Sequence, residues 1–170
     1  MVKKLWLIIL SVVCVIGLCS CGGLKSSEKK VPELSPSDIF SVEEAAEFTG
    51  YAMLQDGEVV DENGTKTVVY VSDPKGESDS VIVKFTQCGD NMSKDEVWSR
   101  YDTARIKRPS AETVEGLGMD AYVAFPYIHI YDKGCDITIA AGSGSDDGQK
   151  ALLNRIGERA VMNLAKYITE

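Results

Sequence analysis

The chain has 170 residues with 26 acidic and 18 basic side chains, one histidine, and a formal charge of −8 at neutral pH. That balance excludes nucleic acid as a natural partner, because such binding rests on neutralising phosphates with Lys and Arg. It equally excludes adsorption of the folded surface to anionic lipid headgroups.

The N-terminus reads as a leader over residues 1–20. Lys3 and Lys4 form a positive start, and Leu5 to Leu18 is almost wholly apolar. Such a segment makes about 21 Å of helix against about 30 Å of bilayer hydrocarbon, too short to span comfortably and suited to a signal-peptide core. Leu18-Cys19-Ser20-Cys21-Gly22 follows and resembles the lipobox of bacterial lipoproteins. The resemblance implies a diacylglycerol group on the Cys21 sulfur and cleavage just before it. Two or three acyl chains anchor durably where one would bind only reversibly. The plainer alternative, an uncleaved anchor from Leu5 to Leu24, leaves the domain on the same side of the membrane. Removing a leader with two lysines and no acid takes the formal charge from −8 to −10.

Residues 21–37 hold the lipidated cysteine and a stretch rich in Gly, Ser, Lys and Pro, expected to be a flexible tether with a reach of about 20 Å. One domain is expected over residues 38–170, a length that buries a genuine core. Ser41-Val42-Glu43-Glu44 is a capping box opening a helix that closes at Gly50. A weak strand is expected between Tyr51 and Val60, then a hairpin at Asn63-Gly64 and a β-branched strand from Thr65 to Ser72. Asp73-Pro74-Lys75-Gly76 is a further turn signal, and Ser80 to Gln87 alternates apolar and polar residues as a strand does. A second capping box, Ser93-Lys94-Asp95-Glu96, opens a helix with Val97, Tyr101 and Ala104 on its apolar stripe and Trp98 beside it. Arg105, Lys107 and Arg108 crowd its end, where cations suit the helix dipole, and Pro109 stops it.

A strand is expected from Met119 to Phe125, with Pro126 breaking the ribbon or lying at an edge. Lys133-Gly134 suits a two-residue hairpin loop that pairs Asp132 with Cys135. That register sets Ile130 against Ile137, Ile128 against Ile139, His129 against Thr138 and Tyr131 against Asp136, so four isoleucines share one face. A slip of one residue would scatter them. Gly142 to Gly148 connects to a last helix whose stripe is Leu152, Leu153, Ile156, Ala160, Leu164 and Ile168. The order α-β-β-β-α-β-β-β-α predicts an α+β fold, an antiparallel sheet of about six strands with three helices. Together with Gly116-Leu117-Gly118-Met119-Asp120-Ala121-Tyr122, this order resembles a group of small bacterial lipoproteins of uncharacterised function. The resemblance implies a PsbP-like sandwich, with helices on both faces of the sheet, and carries over no catalytic residue.

Candidate sites are few. The face opposite the isoleucines presents Tyr127, His129, Tyr131, Asp136 and Thr138, an aromatic and polar strip able to bind a ligand or partner if no helix covers it. Otherwise it is an ordinary covered or solvated sheet face. Cys88 and Cys135 either close a long disulfide loop, as an oxidising compartment allows, or remain small buried thiols. A lone His129 assembles neither a multi-histidine zinc site nor an identifiable triad. The loop from Gly142 to Gly148 lacks a phosphate-loop lysine and caps a helix better than it holds phosphate. The acids at 61–62 and 146–147 lack the ligand spacing of a calcium loop. No metal or cofactor is therefore expected. The expected function is a non-enzymatic binding or interaction module, held by its lipid at the extracytoplasmic face of the cell membrane, with an envelope protein or small ligand as partner. The alternative is an envelope-polymer hydrolase, which requires a deep cleft with at least two acidic side chains of raised pKa.

Overall fold

A computed structural model describes residues 32–73 and 80–169. The leader, Cys21, most of the tether and the turn after Asp73 lie outside the described residues. The described residues form an α+β domain with four helices and an eight-stranded sheet whose ladders are all antiparallel.

The domain begins earlier than residue 38. Leu34 is buried, and the Asp38 carboxylate accepts a 2.8 Å bond from the Ser35 amide to open a one-turn helix, α1 (Pro36–Ile39). Helix α2 (Val42–Thr49) carries the expected capping box. Ser41 N–H donates to Glu44 Oε2 at 3.0 Å and Ser41 Oγ accepts from Glu44 N–H at 3.3 Å. Gly50 ends it at φ 76°, a conformation that costs glycine nothing.

The single weak strand expected between Tyr51 and Val60 is two short ones, β1 (Met53–Gln55) and β2 (Val60–Glu62), both paired with β3 (Thr65–Ser72). Gly57 at φ 82° interrupts them, while the Asp56 amide keeps its bond to Val69 O at 2.8 Å. The Asn63-Gly64 hairpin forms as expected, with both residues at positive φ and Glu62 opposite Thr65. Strand β4 (Ser80–Gln87) follows, then α3 (Lys94–Ile106), whose Ser93–Glu96 capping box also forms. A two-residue strand β5 (Glu112–Thr113) was too short to leave any periodicity in the sequence. Strands β6 (Asp120–Ala124) and β7 (Tyr127–Asp132) are joined through Phe125-Pro126, so the proline interrupts the strand while pairing continues on either side. Strand β8 (Cys135–Ala141) pairs with β7 in the expected register throughout. Asp146 caps the final helix, α4 (Asp147–Tyr167), through a 2.8 Å bond from the Gln149 amide.

The sheet order is β1-β3-β4-β8-β7-β6-β5, with β2 also on β3. Two meanders thus meet at the β4–β8 ladder, which joins residues about fifty positions apart. One face carries Tyr70, Val83, Phe85 and the isoleucines 128, 130, 137 and 139, all buried under α4 and the first two helices. Gly157 lets α4 approach closely: a Cβ there would lie 2.7 Å from Ile128 Cδ1 and 2.8 Å from Leu117 Cδ2. The opposite face carries Tyr122 and Tyr131 beneath Val97 and Tyr101 of α3. Helices therefore lie on both faces, and α3 covers part of the strip that would otherwise face solvent.

Candidate functional site: a polar recess beneath helix α3

The residues between α3 and the sheet are dictated by strand alternation. Asp120 and Tyr122 of β6, Tyr127, His129 and Tyr131 of β7, and Asp136 and Thr138 of β8 share one face through the β6–β7–β8 register. Lys84 joins them because β4 sets it opposite Thr138. Helix α3 then closes over the Tyr131 end with its aromatic stripe. Trp98 meets the Tyr131 ring edge-on at 4.8 Å, and the Tyr131 hydroxyl donates to Lys94 O at 3.4 Å.

What remains open is a recess of about 260 Å³, lined by Lys84, Tyr101, Ala104, Arg108, Tyr122, Tyr127, His129, Asp136 and Thr138. Four of the five strip residues expected from sequence line it. Tyr131 does not: at 5% exposure it belongs to the hydrophobic packing under α3. The strip is thus a half-covered hollow and not an exposed band. The sequence offered Arg108 as a helix-ending cation able to meet an anionic partner and Tyr101 as part of the α3 stripe, but it placed none of Lys84, Tyr101, Arg108 and Tyr122 beside the strip. Tyr122 alone had a local signal, since counting outward from the Phe125-Pro126 turn sets it opposite His129. Lys84 needs the long-range β4–β8 ladder, and Tyr101 and Arg108 need the docking of α3.

The recess is unusual for its unpaired polar atoms. His129 Nε2 and Asp136 Oδ1 are buried without a hydrogen-bond partner, and the buried Tyr101 and Tyr122 hydroxyls have no close one, lying toward Asp120 and Arg108 respectively. More than nine in ten buried polar groups in folded proteins find partners, so four around one hollow mark a place where something else supplies them. The His129 ring is well positioned. Its Nδ1 lies 2.9 Å from Thr138 Oγ1, and its plane stacks on Tyr122 at 4.5 Å and 16°.

Burial sets the protonation states. It pushes His129 down to about 3, helped by the positive charges of Arg108 and Lys84, so the imidazole is neutral near pH 7. Burial pushes Asp136 up to about 6, against the opposing pull of the Thr138 hydroxyl and Arg108. The Tyr122 phenol is raised mainly by burial, with Arg108 opposing, and Tyr101 is raised by burial and by the Asp120 charge. Both phenols therefore stay protonated and able to donate. Asp120 is occupied by an ion pair with Arg105, which also donates to Thr113 Oγ1 at 2.9 Å. The Arg108 guanidinium donates to Ala104 O at 2.8 Å and lies toward the Tyr122 hydroxyl.

The other candidates fall elsewhere. Cys88 and Cys135 are free thiols. Gln87 pairs with Cys135, and Cys88 follows it with its amide bonded to Gly134 O at 3.0 Å. Cys135 is buried with the isoleucines, its thiol pushed up to about 12 by burial, while Cys88 packs against the α3 cluster. Gly142 to Gly148 acts as a connector and cap, through Asp146. Asp61 accepts from the Gly64 amide at 3.1 Å within its own turn. Among the described residues no group of three or more His, Cys, Asp or Glu is placed to hold a metal ion, and no helix is long and apolar enough to cross a membrane. Compared with protein-family models, with curated proteins and with solved structures, the chain has no match in any of the three.

Proposed function

We propose that this protein is a membrane-anchored, extracytoplasmic lipoprotein whose domain is a non-enzymatic binding module, with the recess under α3 as its binding site. The observation that carries the binding reading is the set of four buried polar atoms left without close partners around one open hollow. Sites that hold small molecules combine apolar or aromatic walls with a few convergent polar groups, and this recess has both. The anchoring reading rests on the lipobox-like Leu18 to Cys21 segment, and the helices on both faces of an antiparallel sheet support a PsbP-like arrangement.

The hydrolase reading is less well supported. Hydrolysis by paired carboxylates needs two acids across a scissile bond, commonly about 5–10 Å apart. Asp136 is the one carboxylate lining the recess, and neighbouring Asp120 is neutralised by Arg105.

Two experiments test the two halves of the proposal. Labelled palmitate should enter the wild-type chain and not Cys21→Ser, which should also remain unprocessed; equal labelling of both would end the anchoring reading. For binding, the one histidine is a convenient reporter. A small-molecule library screened against its imidazole NMR signals should contain compounds that shift them, and the shifts should vanish in Tyr122→Phe/Arg108→Met. A library that leaves those signals unmoved would end the reading of the recess as a site.

A further inference from the structure

We infer that the recess takes a small oxyanion, a carboxylate or a phosphate, gripped by the Arg108 guanidinium and the Lys84 ammonium over the Tyr101 and Tyr122 hydroxyls. The inference rests on the proposed binding role of the recess and names the chemistry of its ligand.

Charge is the first argument. Arg108 and Lys84 both line the hollow, and among the described residues neither has an ion-pair partner, although the chain carries eight more acidic than basic side chains. Arg105, one turn away on α3, is by contrast paired with Asp120. The bond from Arg108 to Ala104 O uses one of five guanidinium N–H groups and steadies the fork, leaving the others for two oxygens of one ligand.

Donor chemistry is the second. Tyr101 and Tyr122 are 1% and 0% exposed; the Tyr122 hydroxyl proton has no acceptor, and the Tyr101 hydroxyl lies only toward Asp120, which Arg105 already engages. His129 lines the same hollow, but with Thr138 donating to Asp136 and accepting from Nδ1 its Nε2 offers no proton there. A ligand rich in acceptors satisfies the hydroxyls and the two cations together. A neutral polyol would serve the hydroxyls and leave both cations unpaired; a cationic ligand would meet Arg108 and Lys84 head-on. About 260 Å³ admits an anion bearing only a small substituent.

Asp136 is the group that an anion must reckon with. Thr86 on β4 and Tyr131 on β7 flank it in register, and Lys84, His129, Tyr122 and Arg108 face the same hollow. Asp120 and Arg105 neutralise each other nearby. With His129 neutral, Asp136 is the lone negative charge in the recess, and an arriving oxyanion favours its protonated form. A carboxylic acid then donates to the ligand from Oδ1. Binding is accordingly coupled to uptake of one proton.

The test is calorimetry on the full-length mature protein in neutral detergent at fixed ionic strength, with acetate and inorganic phosphate as separate probes and methyl glucoside as the neutral control. At least one anion should bind, and comparison of the two says whether carboxylate or phosphate is preferred. With Asp136 titrating near 6, affinity counted per ionised acetate should weaken by about 30-fold between about pH 5 and pH 7.5, phosphate being compared at one fixed pH because it titrates in that range itself. Arg108→Met and Lys84→Met should each weaken binding by about 10-fold or more, as loss of a charge-assisted hydrogen bond does. Asp136→Asn should still bind, with affinity per ionised acetate now independent of pH, which guards against variants that merely fail to fold. Binding of the glucoside with neither anion would overturn the oxyanion assignment and leave the recess standing as a site. No heat from any probe, with the imidazole signals unmoved across the wider library, would overturn both.

Discussion

The two faces of the β7–β8 hairpin are built from alternate residues of the same fifteen-residue stretch, Tyr127 to Ala141, yet they do opposite things. On one face Ile128, Ile130, Ile137 and Ile139 are each fully buried and meet Leu153, Ile156 and the close backbone at Gly157. On the other, His129, Asp136 and Thr138 sit under a helix that covers only part of them and leaves polar atoms unpaired. An apolar face needs only contact, which any well-shaped neighbour supplies. A polar face needs directed partners, and where the helix stops short the unsatisfied groups remain as a hollow. The isoleucine side stabilises the fold, and the polar side costs it stability.

The comparison can be broken most forcefully on the isoleucine side. Ile130→Ala should cost about 2–5 kcal/mol in urea unfolding, because it removes transfer energy and leaves a cavity under α4. A loss below about 1 kcal/mol would show that this face is loosely packed.

On the polar face the sign should reverse. Asp136 rises from its ordinary 3.8 to about 6 in the folded chain. A raised carboxyl contributes its stability fully below the unfolded value and loses it as pH rises through the folded one, here between about 3.8 and 6. The cost of the ionised buried group is then about 3 kcal/mol near pH 8. Asp136→Asn should therefore be more stable than wild type at pH 8 by up to about that amount, with the difference gone below about pH 4. Equal unfolding midpoints for the two proteins at pH 8 would show Asp136 to be well solvated.

His129 runs the other way. Its folded value lies near 3, below the ordinary 6.5, so stability is complete above about pH 6.5 and is lost as pH falls toward about 3. The observable is a ring that stays neutral: its nitrogen NMR shifts should keep neutral-imidazole values between about pH 8 and pH 4.5, apart from a small step as Asp136 titrates near 6. Full conversion to imidazolium shifts near pH 6 would place the ring in water.

Smaller effects sharpen the boundary between the faces. Gly157→Ala gains about 1 kcal/mol of helix propensity, but its methyl group drives into Ile128 and Leu117 at under 3 Å. The expected net result is a loss of about 1 kcal/mol, and a clear gain would show that α4 stands off the sheet. Ser41→Ala should cost about 1 kcal/mol, since it removes the acceptor for the Glu44 amide and leaves the recess untouched.

The legible parts of this fold are those whose causes lie close together in the chain. The Lys133-Gly134 turn, with both residues at positive φ, and the two-residue period of the isoleucines agreed on one register, and that register is the one found. The same holds for the Ser41 and Ser93 capping boxes and the Asn63-Gly64 hairpin. Three elements were misjudged because their signals were short. Gly57 splits one expected strand into two, β5 has only two residues, and α1 is a single turn whose Ser35–Asp38 cap sat unread inside the expected tether. Half of the recess was legible as a strip of alternate residues. The other half was not, because nothing local tells Lys84 that Thr138 will lie opposite it, or Arg108 that α3 will end above Asp136.

Turn stereochemistry, helix caps and strand alternation were thus determined by the sequence alone, because each is decided within a few residues by backbone sterics and side-chain period. The tertiary structure alone decided that the polar strip is a hollow and which cations border it. It did so by bringing β4 against β8 and laying α3 over Tyr131, and only that burial turns Asp136 and His129 from ordinary surface groups into unsatisfied ones.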